Sequence, residues 1–131
     1  MTKFQFLAGL VIFSFLFSGC ATTNSLKRGE GTVFQVNGKD YSSVWRAANS
    51  VMSHQLTIVS ASKEAGSIKG EKGAGLFTWG EVVGIFITPQ ETTSTNFEVE
   101  VVSLKRLRGQ ITGQDWTQTI TQGMKAELQI D

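Results

Sequence analysis

The chain has a single cysteine, and its position at residue 20 constrains the fold more than any other feature. Met1-Thr2-Lys3 leads into an apolar run from Phe4 to Phe17, broken only by Gln5, Gly9 and Ser14, and Ser18-Gly19 follows. A charged start, a short hydrophobic stretch and small residues at a cut site are the layout of a secretory signal. The run is about 14 residues long, whereas a bilayer-spanning helix needs about 20. Cleavage between Gly19 and Cys20 removes 19 of the 131 residues and leaves 112. A chain of that size suits one domain and buries roughly two-thirds of its unfolded surface. With Cys20 at the very start no disulfide is available, so the domain has to hold by its core alone.

Phe17-Ser18-Gly19-Cys20 resembles the lipobox of bacterial lipoproteins, with phenylalanine where leucine is usual. The resemblance implies signal cleavage between Gly19 and Cys20, lipidation of Cys20 through a diacylglyceryl group and, often, a further N-acyl chain. One acyl chain binds a membrane only marginally, at about 10⁴ M⁻¹, whereas two or more anchor durably. Ala21 stands where an aspartate tends to retain Gram-negative lipoproteins in the inner membrane, which implies the periplasmic face of the outer membrane. From Ala21 to about Thr32 the chain has no apolar periodicity and reads as a flexible tether. As a coil it would span about 19 Å on average, and fully stretched about 40 Å. Residues 33–131 then form the single domain.

Removing Lys3 with the signal leaves eleven basic side chains against eleven acidic ones. Such a balance carries no electrostatic footprint for nucleic acid and no lysine-rich density for anionic lipid.

Thr32–Val36 reads as a short strand, and Asn37-Gly38 as a turn. Asp40 is placed to cap a helix running to about Gln55, in which Tyr41, Val44, Trp45, Ala48 and Met52 form one stripe. Tyr41 and Trp45 are read as core at this spacing. Leu56–Ala61 and Ser67–Glu71, separated by Lys63-Glu64-Ala65-Gly66, carry a hairpin signature. Glu81–Thr88 and Asn96–Lys105 are the strongest strands, the first ended by Pro89. In the second, Phe97, Val99 and Val101 face one way and Asn96, Glu98 and Glu100 the other, which predicts one covered and one wet face. Asp115 and Gln118 approximate a capping box before a helix striped by Trp116, Ile120, Met124 and Leu128, which Gly123 weakens by about 1 kcal/mol relative to alanine. The expected fold is α+β, a two-layer sandwich of an antiparallel sheet with two helices on one face, in the order β-α-β-β-β-β-α.

The segments Tyr41-Ser42-Ser43-Val44-Trp45-Arg46-Ala47-Ala48, Gly66-Ser67-Ile68, Val101-Val102-Ser103 and Asp115-Trp116 resemble those of small, mostly uncharacterised Gram-negative envelope lipoproteins. The element order resembles the helix-grip domains of the C lipoprotein of the outer-membrane β-barrel assembly machine. The likeness covers about residues 33–129. It implies the fold and an envelope location, and it carries over no catalytic residue. The apolar stretch Gly73–Gly80 departs from the short polar turn the pattern leads one to expect.

Candidate chemistry is sparse. A structural zinc site needs four ligands, and the chain offers one histidine, His54, read as a helix-end residue near the negative dipole end. No Gly-x-Ser-x-Gly element is present. Asp40 and Asp115 are read as caps. Gly73-Ala74-Gly75 begins like a phosphate loop, but Thr78 stands where the dinucleotide fingerprint needs glycine and no Gly-Lys-Ser/Thr follows. No catalytic residue, metal ligand or cofactor is assigned. The candidate partner contacts are Phe77 and Trp79, in a glycine-bounded loop that either presents an aromatic cluster or folds back over the core, and the basic run Lys105, Arg106 and Arg108.

The favoured expectation is a non-enzymatic adaptor or assembly component of an envelope complex, membrane-tethered and binding a protein partner through the Phe77/Trp79 loop or the exposed sheet face. A second is a lipid or small apolar ligand held between sheet and helices. A third is an enzyme using carboxylates that the sequence does not pair.

Overall fold

The structure, a computed structural model, describes residues 19–91 and 93–131. The signal region before Gly19 lies outside them, including Phe17 and Ser18 of the lipobox. Five strands and two helices follow one another as β1 (Thr32–Asn37), α1 (Tyr41–Gln55), β2 (Thr57–Ser62), β3 (Ser67–Lys72), β4 (Glu81–Pro89), β5 (Asn96–Lys105) and α2 (Thr117–Leu128). All pairings are antiparallel, and the sheet order is β1-β5-β4-β3-β2. The fold is therefore α+β with the expected order of elements. α1 links the two outer strands and crosses the width of the sheet to do so.

One face of the sheet holds the main core. Val83, Ile85 and Ile87 of β4 and Phe97, Val99 and Val101 of β5 point into it, and so do Val44, Ala48 and Met52 of α1. The α2 stripe of Trp116, Ile120, Met124 and Leu128 is buried as its spacing predicts. Tyr41 and Trp45 lie half-buried at the margin, while Ala47 and Val51 take the central places on α1. Gly123 faces Val51 of α1. A Cβ there would stand 2.8 Å from Val51 Cγ1, so the residue that lowers helix propensity admits the neighbouring helix.

Asp40 caps α1, its carboxylate accepting the Ser43 N–H at 2.6 Å. These bonds from Ser43 favour the ionised form and hold the Asp40 carboxyl below its ordinary range. The capping box expected at Asp115 and Gln118 does not form. α2 starts at Thr117, and Asp115 accepts from the backbone N–H and hydroxyl of that residue. The Trp116 N–H goes to Ser103 Oγ, which ties the helix start to β5.

The second face is wet only in part, with Asn96 exposed, Glu98 half-buried and Glu100 buried, and the stretch read as a tether is the reason. Residues 21–31 lie across it, with a 3₁₀ turn at Thr23–Ser25. Leu26 packs with Val82, Phe86 and Val102 in a second apolar cluster, and Ala21 and Leu104 flank it. Arg28 spans the far side of this cluster. Its guanidinium sits 5.1 Å from the Phe86 ring centre and donates to Thr88 Oγ1 and the Ala65 carbonyl. Beyond it the chain turns back towards β1 over a buried carboxylate. Gly29 N–H donates to both Glu100 oxygens, at 2.8 and 2.9 Å, and Gly31 N–H to Oε1 at 2.8 Å. Gly31 lies so close to β5 that a Cβ would stand 2.3 Å from the Val101 carbonyl oxygen. The coil dimensions expected for a tether therefore do not apply to this arm, whose backbone is already part of the fold.

Candidate functional site

The arm ends at Cys20, which is exposed. Its neighbour Ala21 donates a backbone hydrogen bond of 2.7 Å to the Arg106 carbonyl, and the Arg106 N–H in turn donates to the Gly80 carbonyl at 3.0 Å. Arg106 thus joins three pieces of chain: the arm, the end of β5 and the loop before β4. The lipidation candidate is one residue away from that junction.

Two loops leave the sheet at this end, 73–80 between β3 and β4 and 106–116 between β5 and α2. Leu76 is 95 % exposed, Phe77 82 %, Trp79 65 % and Ile111 93 %. The aromatic loop therefore does not fold back over the core. It is also not free, because the second loop holds it. The Gln110 side chain donates to Thr78 Oγ1 at 2.7 Å and to the Thr112 carbonyl at 2.8 Å, and accepts the Trp79 N–H at 3.3 Å. The Thr112 hydroxyl donates to the Phe77 carbonyl. Beneath them the buried Glu81 carboxylate accepts the Gln114 N–H at 2.9 Å. Polar groups at the base fix the backbones, and four large apolar side chains are left at the tips.

The basic run is divided. Arg106 forms an ion pair with Glu71 across the sheet end. Lys105 donates to the Gln110 carbonyl at 3.2 Å, which bolts the second loop down. Only Arg108 of the three is fully exposed. Of the run read as a solvated strand end or as a docking site for an acidic partner or lipid headgroup, Arg108 projects from the surface while Lys105 and Arg106 are engaged within the fold. A cleft of about 810 Å³ opens beside Cys20, and Lys27, Arg108, Leu104 and Leu107 line it.

The opposite end of the sheet is built differently. A cleft of about 540 Å³ lies there among Arg28, Tyr41, Gly66, Pro89 and Ser94. Burial pushes the Tyr41 hydroxyl up from its ordinary range and the Arg28 charge opposes it. That hydroxyl donates to the Lys63 carbonyl. His54 is a helix-end residue as expected, with Nδ1 2.7 Å from the Ser50 carbonyl oxygen. Among the described residues no three His, Cys, Asp or Glu side chains gather as a metal site.

The sequence reading singled out Phe77 and Trp79 and missed the parts that give them a role: Gln110, Ile111 and Thr112. Ile111 sits in a polar stretch with no periodicity, so its exposure carried no signal. Glu100 alternates with Asn96 and Glu98 as a wet residue would, although the glycines of Gly29-Glu30-Gly31 hint at a backbone passing close to something. No protein-family model matches the chain, and no curated protein is significantly similar to it.

Proposed function

We propose that the chain is an outer-membrane lipoprotein, acylated at Cys20, that works as a non-enzymatic adaptor or assembly component on the periplasmic face. The observation that carries this reading is the arm. Its residues are ordered against the sheet through Leu26, Arg28 and the Glu100 carboxylate, and it delivers Cys20 to one end of the domain. An anchor attached there would fix which end of the domain meets the bilayer, as suits a part that presents a surface to a partner. The surfaces left over include edge strand β2, where Val59 is half-exposed beside a break in the pairing register between Ile58 and Ser60. A strand edge of this kind takes an added strand from a partner. A ligand between sheet and helices has less in its favour, since Val44, Met52, Ile85, Val99 and Ile120 are fully buried there in one apolar cluster.

The test is made in whole cells. Cys20→Ser is expected to remain uncleaved or to leave the outer-membrane fraction, and a variant that still matures and fractionates with the membrane defeats the anchor. A photo-crosslinking side chain at Val59 is expected to trap a protein of the envelope. Recovery of the uncrosslinked monomer alone defeats the adaptor role.

A further inference from the structure

We propose that loops 73–80 and 106–114 form an apolar foot that enters the phospholipid leaflet beside the acylated cysteine. The inference rests on acylation of Cys20 as proposed above, and adds a second, non-covalent contact with the same membrane.

Three observations lead to it. The first is the apolar surface itself: Leu76, Phe77, Trp79 and Ile111 project from two different loops at one end of the sheet. Side chains this exposed in an aqueous compartment mark a contact surface. The second is position. The backbone ladder from Ala21 through Arg106 to Gly80 joins the anchor site to the base of the first loop. Acyl chains on Cys20 therefore bring a bilayer to this end of the domain before any other partner arrives, and the slack between lipid and fold is a single residue.

The third is the chemistry around the tips. Phenylalanine and tryptophan favour the boundary between headgroups and acyl chains. Lys27 and Arg108 line the cleft beside Cys20 together with Glu30, while Arg106, also in its lining, is paired with Glu71 and Lys105 is bonded to the Gln110 carbonyl. That balance of charge suits lipid phosphates. The clamp of Gln110 and Thr112 keeps the tips extended without a partner, so insertion needs no rearrangement. The turns at the other sheet end, Asn37–Lys39, Lys63–Gly66 and Gln90–Thr95, have no large apolar residue in their sequence. A foot of this kind would hold the sheet at a fixed angle to the membrane, which acyl chains on one residue cannot do.

The test uses the full mature protein, with Cys20 acylation checked by mass, in vesicles of phosphatidylethanolamine and phosphatidylglycerol whose acyl chains carry bromine. Trp116 is buried and Trp45 half-buried, and Trp79 reports on the foot. Bromine is expected to quench a component of the emission that acrylamide does not reach, and Trp79→Ser is expected to remove that component. The substitution lies at an exposed tip and leaves the core untouched. If acylated, vesicle-bound protein shows Trp79 open to acrylamide and untouched by bromine, the foot is wrong and the anchor stands. If Trp79 is shielded from both quenchers, a protein surface covers the loops, and the foot is again wrong. If Cys20 carries no acyl group but Trp79 is still quenched by bromine, the anchor is wrong and the foot stands.

Discussion

One face of the sheet is covered by helices and part of the other by the arm, by different means and to different ends. On one face helix and strand side chains together form a single apolar mass of nineteen buried residues. On the other a short arm brings one leucine, and the rest of its hold is polar: two N–H groups making three hydrogen bonds to one buried carboxylate, and an arginine stacked on a phenylalanine. The helix face supplies enough buried area to fold a domain without disulfides. The arm face adds little area and much direction, because directed bonds fix where Cys20 lies and apolar burial alone does not. A core face for stability and a latched face for position is what a domain needs if one end of it is to be held against a surface.

This contrast predicts different consequences for damage to each face. Ile120→Ala, on the helix face, empties a fully buried site and is expected to lower global stability by about 2–5 kcal/mol, read as an earlier urea midpoint for every probe. Glu100→Ala, on the arm face, leaves the Gly29 and Gly31 amides without their charged acceptor, at about 1.5–3 kcal/mol. Limited proteolysis is expected to cut residues 21–31 first in that variant, under conditions where the helices and sheet stay intact. Simultaneous loss of arm and core would erase the distinction between the faces.

Two glycines allow a finer comparison. Gly31→Ala forces a Cβ against the Val101 carbonyl and is expected to lift the arm, with amide exchange rising at 29–31 and not in α2. Gly123→Ala gains about 1 kcal/mol of helix propensity but meets Val51. Overpacking costs about 1–3 kcal/mol, so a net loss of up to about 2 kcal/mol in melting experiments is expected, and Val51→Ala in the same chain should return part of it. The smallest effect belongs to Asp40. Its folded carboxyl titrates below the ordinary value of about 3.9, so it stabilises the fold above that range and the contribution fades as pH falls through the lowered value. The melting-temperature difference between the parent chain and Asp40→Ala is therefore expected to be full at neutral pH and to close below about pH 4.

What the sequence made legible follows from period. The stripe of α2 and the alternation at Phe97, Val99 and Val101 each point to one buried face, and the element order follows from them. The arm has no period to read. Leu26 is a lone apolar residue among polar ones, and its burial depends on a sheet face assembled from residues 56 to 76 positions further on. One clue was present. β4 runs Val82-Val83-Gly84-Ile85-Phe86-Ile87 without alternation, the pattern of a strand covered on both sides. The row of Asn96, Glu98 and Glu100 argued for a wet face, and read alone it hid the fact that Glu100 is a buried acceptor. The exposed loop was visible as composition, while the clamp that extends it depends on Gln110, whose partners are about 30 residues away in the chain.

The central claim is that residues 21–31 belong to the fold and set the position of Cys20. Amide hydrogen exchange of the mature protein in detergent micelles, followed residue by residue by NMR, tests it most directly. The amides of Ala21, Gly29 and Gly31 are expected to be protected, the two glycines losing protection in Glu100→Ala while the α2 amides keep theirs. Exchange at the rate of a free peptide at all three positions in the unaltered chain would contradict the account.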